Sequence, residues 1–142
     1  MSFSYIMKKL GVLASSHLSQ NRYMKTQISF LRGLGIFING RPIYISPSAH
    51  FDNSDYSLIS IGDQCVMSFD VYILTHDYSI ARALHALGED TSHEPKMLRG
   101  VSIGDNCFIG ARSILCPGVE FGNNCIVGAG AVVRGGGILR IS

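Results

Sequence analysis

Val101–Val133, VSIGDNCFIGARSILCPGVEFGNNCIVGAGAVV, is the stretch whose reading decides the fold. Every sixth residue in it is bulky and apolar: Ile103, Ile109, Leu115, Phe121, Val127 and Val133. A second row runs two residues ahead, through Val101, Cys107, Ser113, Val119, Cys125 and Ala131. Gly104, Gly110, Gly122 and Gly128 each follow a bulky residue directly. An amphipathic helix repeats its apolar positions at about 3.6 residues and a half-buried strand at about 2, so neither explains a six. A period of six with glycine after the large side chain marks a hexapeptide parallel β-helix. Each short strand sends one large side chain into a narrow prism, and a turn bends the chain onto the next face. Three faces make a coil of about 18 residues, so this stretch supplies nearly two coils.

The pattern extends upstream. Ile45 and Phe51 are six apart, with Ile43 and Ala49 two positions ahead of them. Ile61, Met67 and Ile73 resume the bulky row, preceded by Ile59, Cys65 and Val71. Ile61 and Ile103 are 42 residues apart, a whole number of sixes. Between these runs, Asp52–Leu58 (DNSDYSL) is polar and reads as a small turn insertion. Thr75–Gly100 is not repetitive at all. A β-helix does not need such an excursion, and long loops in compact domains tend to carry function. Within it SIARALHALGED predicts a short helix, with Ser79 as N-cap and Gly88 at its end.

Residues 3–32 space Phe3, Ile6, Met7, Leu10, Leu13, Ala14 and Leu18 in a loosely helical way. One or two helices packed on the open end of the β-helix is the first reading. Lys8, Lys9, Arg22, Lys25 and Arg32, dispersed among the apolar positions, allow a second, a weak membrane-surface contact. Gly33, Gly35 and Gly40 break the helical pattern. The organisation expected is therefore a helical cap over 1–35 and an all-β, parallel β-helix domain over 36–142, interrupted by an excursion loop at 75–100.

Composition narrows the function. The 142 residues suit one domain, and 46% apolar against 15% charged residues gives material for a core. A net charge of +2, with no nucleic-acid-binding motif, argues against a nucleic-acid partner. No apolar run is long enough to span a bilayer and no secretory cleavage pattern opens the chain, so a cytoplasmic location is expected. Cys65, Cys107 and Cys125 fall on the small inward row, where cysteine packs as a compact hydrophobe; Cys116 completes the set.

The repeats and the THDYS segment at 75–79 resemble the hexapeptide-repeat acyltransferases, closest to the maltose, galactoside and capsular-polysaccharide O-acetyltransferases. The resemblance covers Ile36 to Val133. It implies a left-handed β-helix, a homotrimer with sites between neighbouring subunits, and acetyl-CoA as co-substrate, with no metal. His76 stands at the lip of a rung where the excursion leaves the prism, and an imidazole can take up a hydroxyl proton near neutral pH. The family places its catalytic histidine at this point. Asp77 offers a neighbouring carboxylate that could orient the ring, or is a solvated turn residue. The amide N–H of Ala111, after Ile109-Gly110, corresponds to the donor that steadies the thioester oxyanion. That of Ala129, after Val127-Gly128, corresponds to a contact with the pantetheine arm. Phe108 replaces a frequent tryptophan.

Departures from the family pattern are specific. Where the family often has an asparagine for the acceptor contact, this chain has Ser46 and Ser48, with His50, Asp52 and Asn53 just after, so acceptor contacts are unassigned. The sequence finishes RGGGILRIS, without the family's usual proline turn: either the tail is truncated or rearranged, or Arg134 and Arg140 serve the coenzyme phosphates alone. His85 and His93 follow His76 at spacings of nine and eight, unlike the closely spaced pair of γ-class carbonic anhydrases, so zinc is not expected. His17 and His50 belong to no motif. The resemblance thus implies an O-acetyltransferase of a sugar or polysaccharide precursor. The alternatives are a non-catalytic trimeric scaffold, an amino-sugar N-acetyltransferase and a serine O-acetyltransferase.

Overall fold

A computed structural model describes residues 3–15 and 19–135. Two helices come first, α1 (Phe3–Ser15) and α2 (Gln20–Leu34), followed by a left-handed parallel β-helix of four coils. The first coil holds β1 (Phe37–Ile38), β2 (Tyr44–Ile45) and β3 (His50–Phe51), and the second β4 (Ile59–Ile61), β5 (Val66–Met67) and β6 (Tyr72–Ile73). The excursion carries β7 (His76–Asp77), α3 (Ser79–Ala86) and β8 (Met97–Leu98). The third coil is β9 (Val101–Ile103), β10 (Phe108–Ile109) and β11 (Ile114–Leu115); the fourth is β12 (Glu120–Phe121), β13 (Ile126–Val127) and β14 (Val132–Val133). Strands of successive coils stack in parallel into three four-stranded faces: β1-β4-β9-β12, β2-β5-β10-β13 and β3-β6-β11-β14.

The inward rows hold the prism together. Ile45, Ile59, Ile61, Met67, Ile73, Ile109 and Leu115 are almost wholly buried, and the small row of Cys65, Val71, Val101, Cys107, Ser113 and Val119 fills the space between them. Ile61 pairs with Ile103 across the excursion, so the two coils resume the same register after it. Cys65 and Cys107 pack inside as free thiols, Cys125 is half-buried in the same column, and Cys116 is also free. One inward assignment fails. The first coil has one residue more than the second between Ile38 and Ile45, so buried Pro42 takes the inward place and Ile43 turns out to solvent.

The turns explain how so little sequence bends so sharply. At the first corner each coil places one residue in the left-handed region: Gly40, Gln64, Asn106 and Asn124. Beside them a ladder of acceptors ties coil to coil. The Arg41 N–H donates to Asp63 Oδ1 (2.6 Å), the Asp63 N–H to Asp105 Oδ1 (2.7 Å), and the Asp105 N–H to Asn123 Oδ1 (2.8 Å). Turn N–H groups that cannot join the strand ladders are thereby satisfied.

Helix α2 closes the first coil. Ser19 Oγ accepts from the Arg22 N–H at its start, and Gly35, at φ 107°, ends it in the left-handed conformation that glycine adopts freely. Its buried face of Tyr23, Met24, Ile28 and Leu31 lies on the lowest rung. The Tyr23 hydroxyl donates to the Ile45 carbonyl, and Arg32 Nη2 donates to the carbonyls of Ile38 and Gly40 (2.9 and 3.0 Å). These bonds occupy carbonyls that would otherwise line an unpaired sheet edge.

Truncating a rung in mid-prism should be costly because no neighbour can collapse into the gap. Ile109→Ala is expected to lower unfolding free energy by about 2–5 kcal/mol in chemical denaturation. Leu87→Ser, at an exposed position in the excursion, should stay within about 0.5 kcal/mol of wild type.

Candidate active site

The site forms at the third corner, where the third face hands the chain back to the first. Phe51, Ile73, Leu115 and Val133 pair in one column, so the residues after them, Asp52, Leu74, Cys116 and Arg134, succeed one another up that corner. Both long departures from the repeat leave from here, Asp52–Leu58 after the first coil and Thr75–Gly100 after the second. The second is pinned at its neck by antiparallel pairing of β7 with β8, His76 opposite Leu98 and Asp77 opposite Met97.

His76 is half-buried, with its side chain 30% exposed, and its ring is held by the coil below. Nδ1 lies 2.5 Å from Oδ2 of Asp52, whose side chain is only 1% exposed. The same oxygen accepts from the backbone N–H of Thr75 (2.7 Å) and of His76 itself (3.0 Å), while Oδ1 accepts from the Ser54 N–H (2.9 Å). Burial acts to raise the Asp52 carboxyl, but the N–H groups of Ser54 and Thr75, the His76 ring and the Ser54 hydroxyl outweigh it and hold the group well below the usual carboxylate range. Ionised Asp52 can only accept, so Nδ1 must carry the proton in the neutral ring and Nε2 keeps its lone pair. Among the described residues no hydrogen bond engages Nε2. Ser54 Oγ also lies 2.9 Å from Nδ1, and the Tyr78 ring meets the imidazole edge-on at 5.1 Å between centroids.

Asp77 does not orient the ring. Its Oδ1 accepts from the Ser79 N–H (2.7 Å) at the start of α3, which makes Asp77, rather than Ser79, the side chain that satisfies the helix entrance. Its carboxyl is held below the ordinary range by the Ser79 N–H and hydroxyl first, with a smaller contribution from the charge of Arg134. Arg134, two coils above, therefore belongs electrostatically to the same corner as His76. Arg140 and His17 lie outside the described residues.

Ala111 and Ala129 lie elsewhere. They occupy the second corner, between the second and third faces, on adjacent coils, with the Gly130 N–H donating to the Ala111 carbonyl (2.8 Å). Neither alanine N–H takes part in a hydrogen bond among the described residues, so both are free donors. A Cβ on Gly110 would stand 2.5 Å from the Ala129 nitrogen, which is why this position needs glycine. Within one chain the third face separates these donors from His76. Its outward column is His50, Tyr72, Ile114 and Val132, with the His50 and Tyr72 rings stacked at 4.3 Å.

His85 and His93 are both exposed in the excursion, and no three His, Cys, Asp or Glu side chains among the described residues are grouped to hold a metal. A groove of about 460 Å³ opens beside the excursion neck, lined by Ser57, Ser60, Ser102, Glu120 and Arg99 among others. Arg99 ties the groove to the excursion neck, because its N–H donates to the carbonyl of Thr75 (2.9 Å), the residue before His76.

The period of six and the three stacked faces are those of a hexapeptide-type parallel β-helix. In agreement, residues 100–134 match the family model described as the hexapeptide repeat of succinyl-transferase, which covers the third and fourth coils and about a quarter of the chain. The match supports the hexapeptide-repeat class and acyl transfer at that general level. No curated protein matches the chain significantly.

The Asp52 carboxylate ties pH to stability. Its folded pKa is depressed, so the native state binds fewer protons than the unfolded chain, and the stabilisation is present above about pH 4 and lost as pH falls below it. Between neutral pH and acid, wild type should therefore lose more stability than Asp52→Asn, measured by denaturant titration at a series of pH values. Equal losses in the two proteins would contradict the buried-carboxylate assignment.

Proposed function

We propose that the chain is an acetyl-CoA-dependent O-acetyltransferase of a sugar or polysaccharide-precursor hydroxyl, working as a homotrimer. The pairing of His76 with buried Asp52, which leaves Nε2 as a fixed acceptor at the mouth of the excursion, carries this reading. A sugar hydroxyl is a poor nucleophile until a base takes its proton during attack. His76 Nε2 receives that proton as the hydroxyl oxygen bonds to the acetyl carbon. The negative charge that develops on the thioester oxygen is met by the free N–H of Ala111. The carbon–sulfur bond then breaks, and the proton on His76 passes to the departing thiolate. Asp52 stabilises the imidazolium in between and keeps its ring in place, as the carboxylate does in a triad.

One face of the prism separates His76 from Ala111 and Ala129, and a trimer offers the way to unite them. A threefold axis would set the second corner of one copy against the third corner of the next. The outward rows flanking the second corner fit such packing: Phe69, Phe108, Ile126 and Val132 are exposed apolar side chains, and Ile126 is 82% exposed. Ala129 would then contact the pantetheine arm, and Arg134 the phosphates. The hydroxyl-, carboxylate- and guanidinium-lined groove by Arg99 suits a polyhydroxylated acceptor.

Steady-state assays with acetyl-CoA and a panel of saccharide acceptors test the reading. His76→Ala should lower kcat by about 10²–10⁴-fold with acetyl-CoA binding unchanged in calorimetry. Asp52→Asn should lower kcat with little change in KM, because the amide no longer enforces the tautomer that leaves Nε2 free. Sedimentation should give three times the chain mass of 15.4 kDa. Failure of wild type to bind acetyl-CoA up to millimolar concentration would instead favour a non-catalytic scaffold.

A further inference from the structure

We infer that the helical cap is a docking surface for an anionic phospholipid bilayer. Charge is segregated along the chain. Lys8, Lys9, Arg22, Lys25, Arg32 and Arg41 precede Asp52 without a single acid, and all ten Asp and Glu residues lie from Asp52 onward. In the structure this places the cations on the helices and the first turn, while the β-helix and its excursion hold the acids.

Helix α1 adds an apolar component that the protein itself does not use. Val12 turns inward and is 3% exposed. On the other side Ile6, Met7 and Leu10 are 43%, 52% and 53% exposed, and Ala14 is exposed beside them. At about 100° per residue these four form a strip centred opposite Val12. A helix on a water-facing surface ordinarily carries polar residues there; apolar residues on both sides require a second apolar environment. Lys9 is exposed on the flank of α1, and Lys25 lines the groove between the helices with Gly11 and Ser29. Lys25 also lines the adjoining hollow with Arg32 and Arg41.

Charge decides the occupant. A second copy docked strip to strip would bring the same cations together with no acid of either cap to oppose them. A bare polyanion would take the cations and leave the apolar strip wet. Anionic headgroups above acyl chains satisfy both at once, which is how interfacial helices bind. No helix among the described residues is long and apolar enough to cross a membrane, so the contact is one of lying on the surface.

Flotation of the full chain with phosphatidylcholine vesicles containing about 30 mol% phosphatidylglycerol, and with pure phosphatidylcholine, tests the inference. Wild type should float with the anionic vesicles, not with the neutral ones, and high salt should release it. Met7→Ser/Leu10→Ser should lower the bound fraction about tenfold, and Arg22→Gln/Lys25→Gln should lower it as well. Both pairs are exposed, and circular dichroism checks that the fold persists; the single Ile6→Ser change replaces any pair that unfolds. His76→Ala should float like wild type, which separates this inference from the proposed chemistry. The inference is overturned by wild type that does not bind anionic vesicles or by binding indifferent to both variants. It is also overturned by a change of oligomer mass in Met7→Ser/Leu10→Ser, which would assign the strip to contact between copies.

Discussion

Everything in this molecule depends on the return of each coil to the register of the one below it. Faces two or three residues wide leave little room for adjustment, because an inward side chain has only the side chains above, below and on the other two faces as neighbours. The backbone imposes the same condition, since the strands of the second and third coils share hydrogen bonds with the coils on either side. A six-residue period is the sequence form of that condition. Where one additional residue enters the first coil, the chain meets the condition at once by burying Pro42 in place of Ile43.

The same constraint makes the third corner useful. An insertion that leaves and re-enters the prism at one point disturbs no rung, and Asp52–Leu58 and Thr75–Gly100 both do so from adjacent coils at one corner. Polar residues freed from the rungs are thereby stacked one above the other at the spacing of neighbouring strands. Asp52 and His76 are 24 residues apart in the chain and meet because they emerge from consecutive coils. A carboxylate 1% exposed is costly to bury unless its oxygens are satisfied, and here three N–H groups and the imidazole ring do so.

The rows from Ile45 to Val127 are legible in the sequence because burial imposes a period that can be counted. Helix α1 is legible because the spacing of Ile6, Met7 and Leu10 is a local signal, and the end of α2 because Gly35 breaks the helical pattern. Asp52 is not, since a residue inside an insertion has no periodic neighbours to announce it. Attention falls naturally on Asp77, adjacent to His76, but a β7 residue points its side chain to the other use, the entrance of α3. The signal that finds Asp52 is the register itself: with the bulky rows written one coil below another, Asp52, Leu74, Cys116 and Arg134 share a column. The separation of Ala111 and Ala129 from His76 emerges from the same alignment, because their positions lie one face apart.

The anchoring of His76 has a consequence for how such a protein diversifies. Its ring and its own N–H are fixed to Asp52, in a coil that the excursion does not belong to. The segment beyond Tyr78 can therefore lengthen, shorten or be exchanged while the His76 ring stays in place. On the proposed chemistry, the group that moves a proton and the loop that chooses a partner molecule can vary separately. One scaffold could, on that chemistry, acquire a new clientele by rewriting a loop while its working atom is left alone.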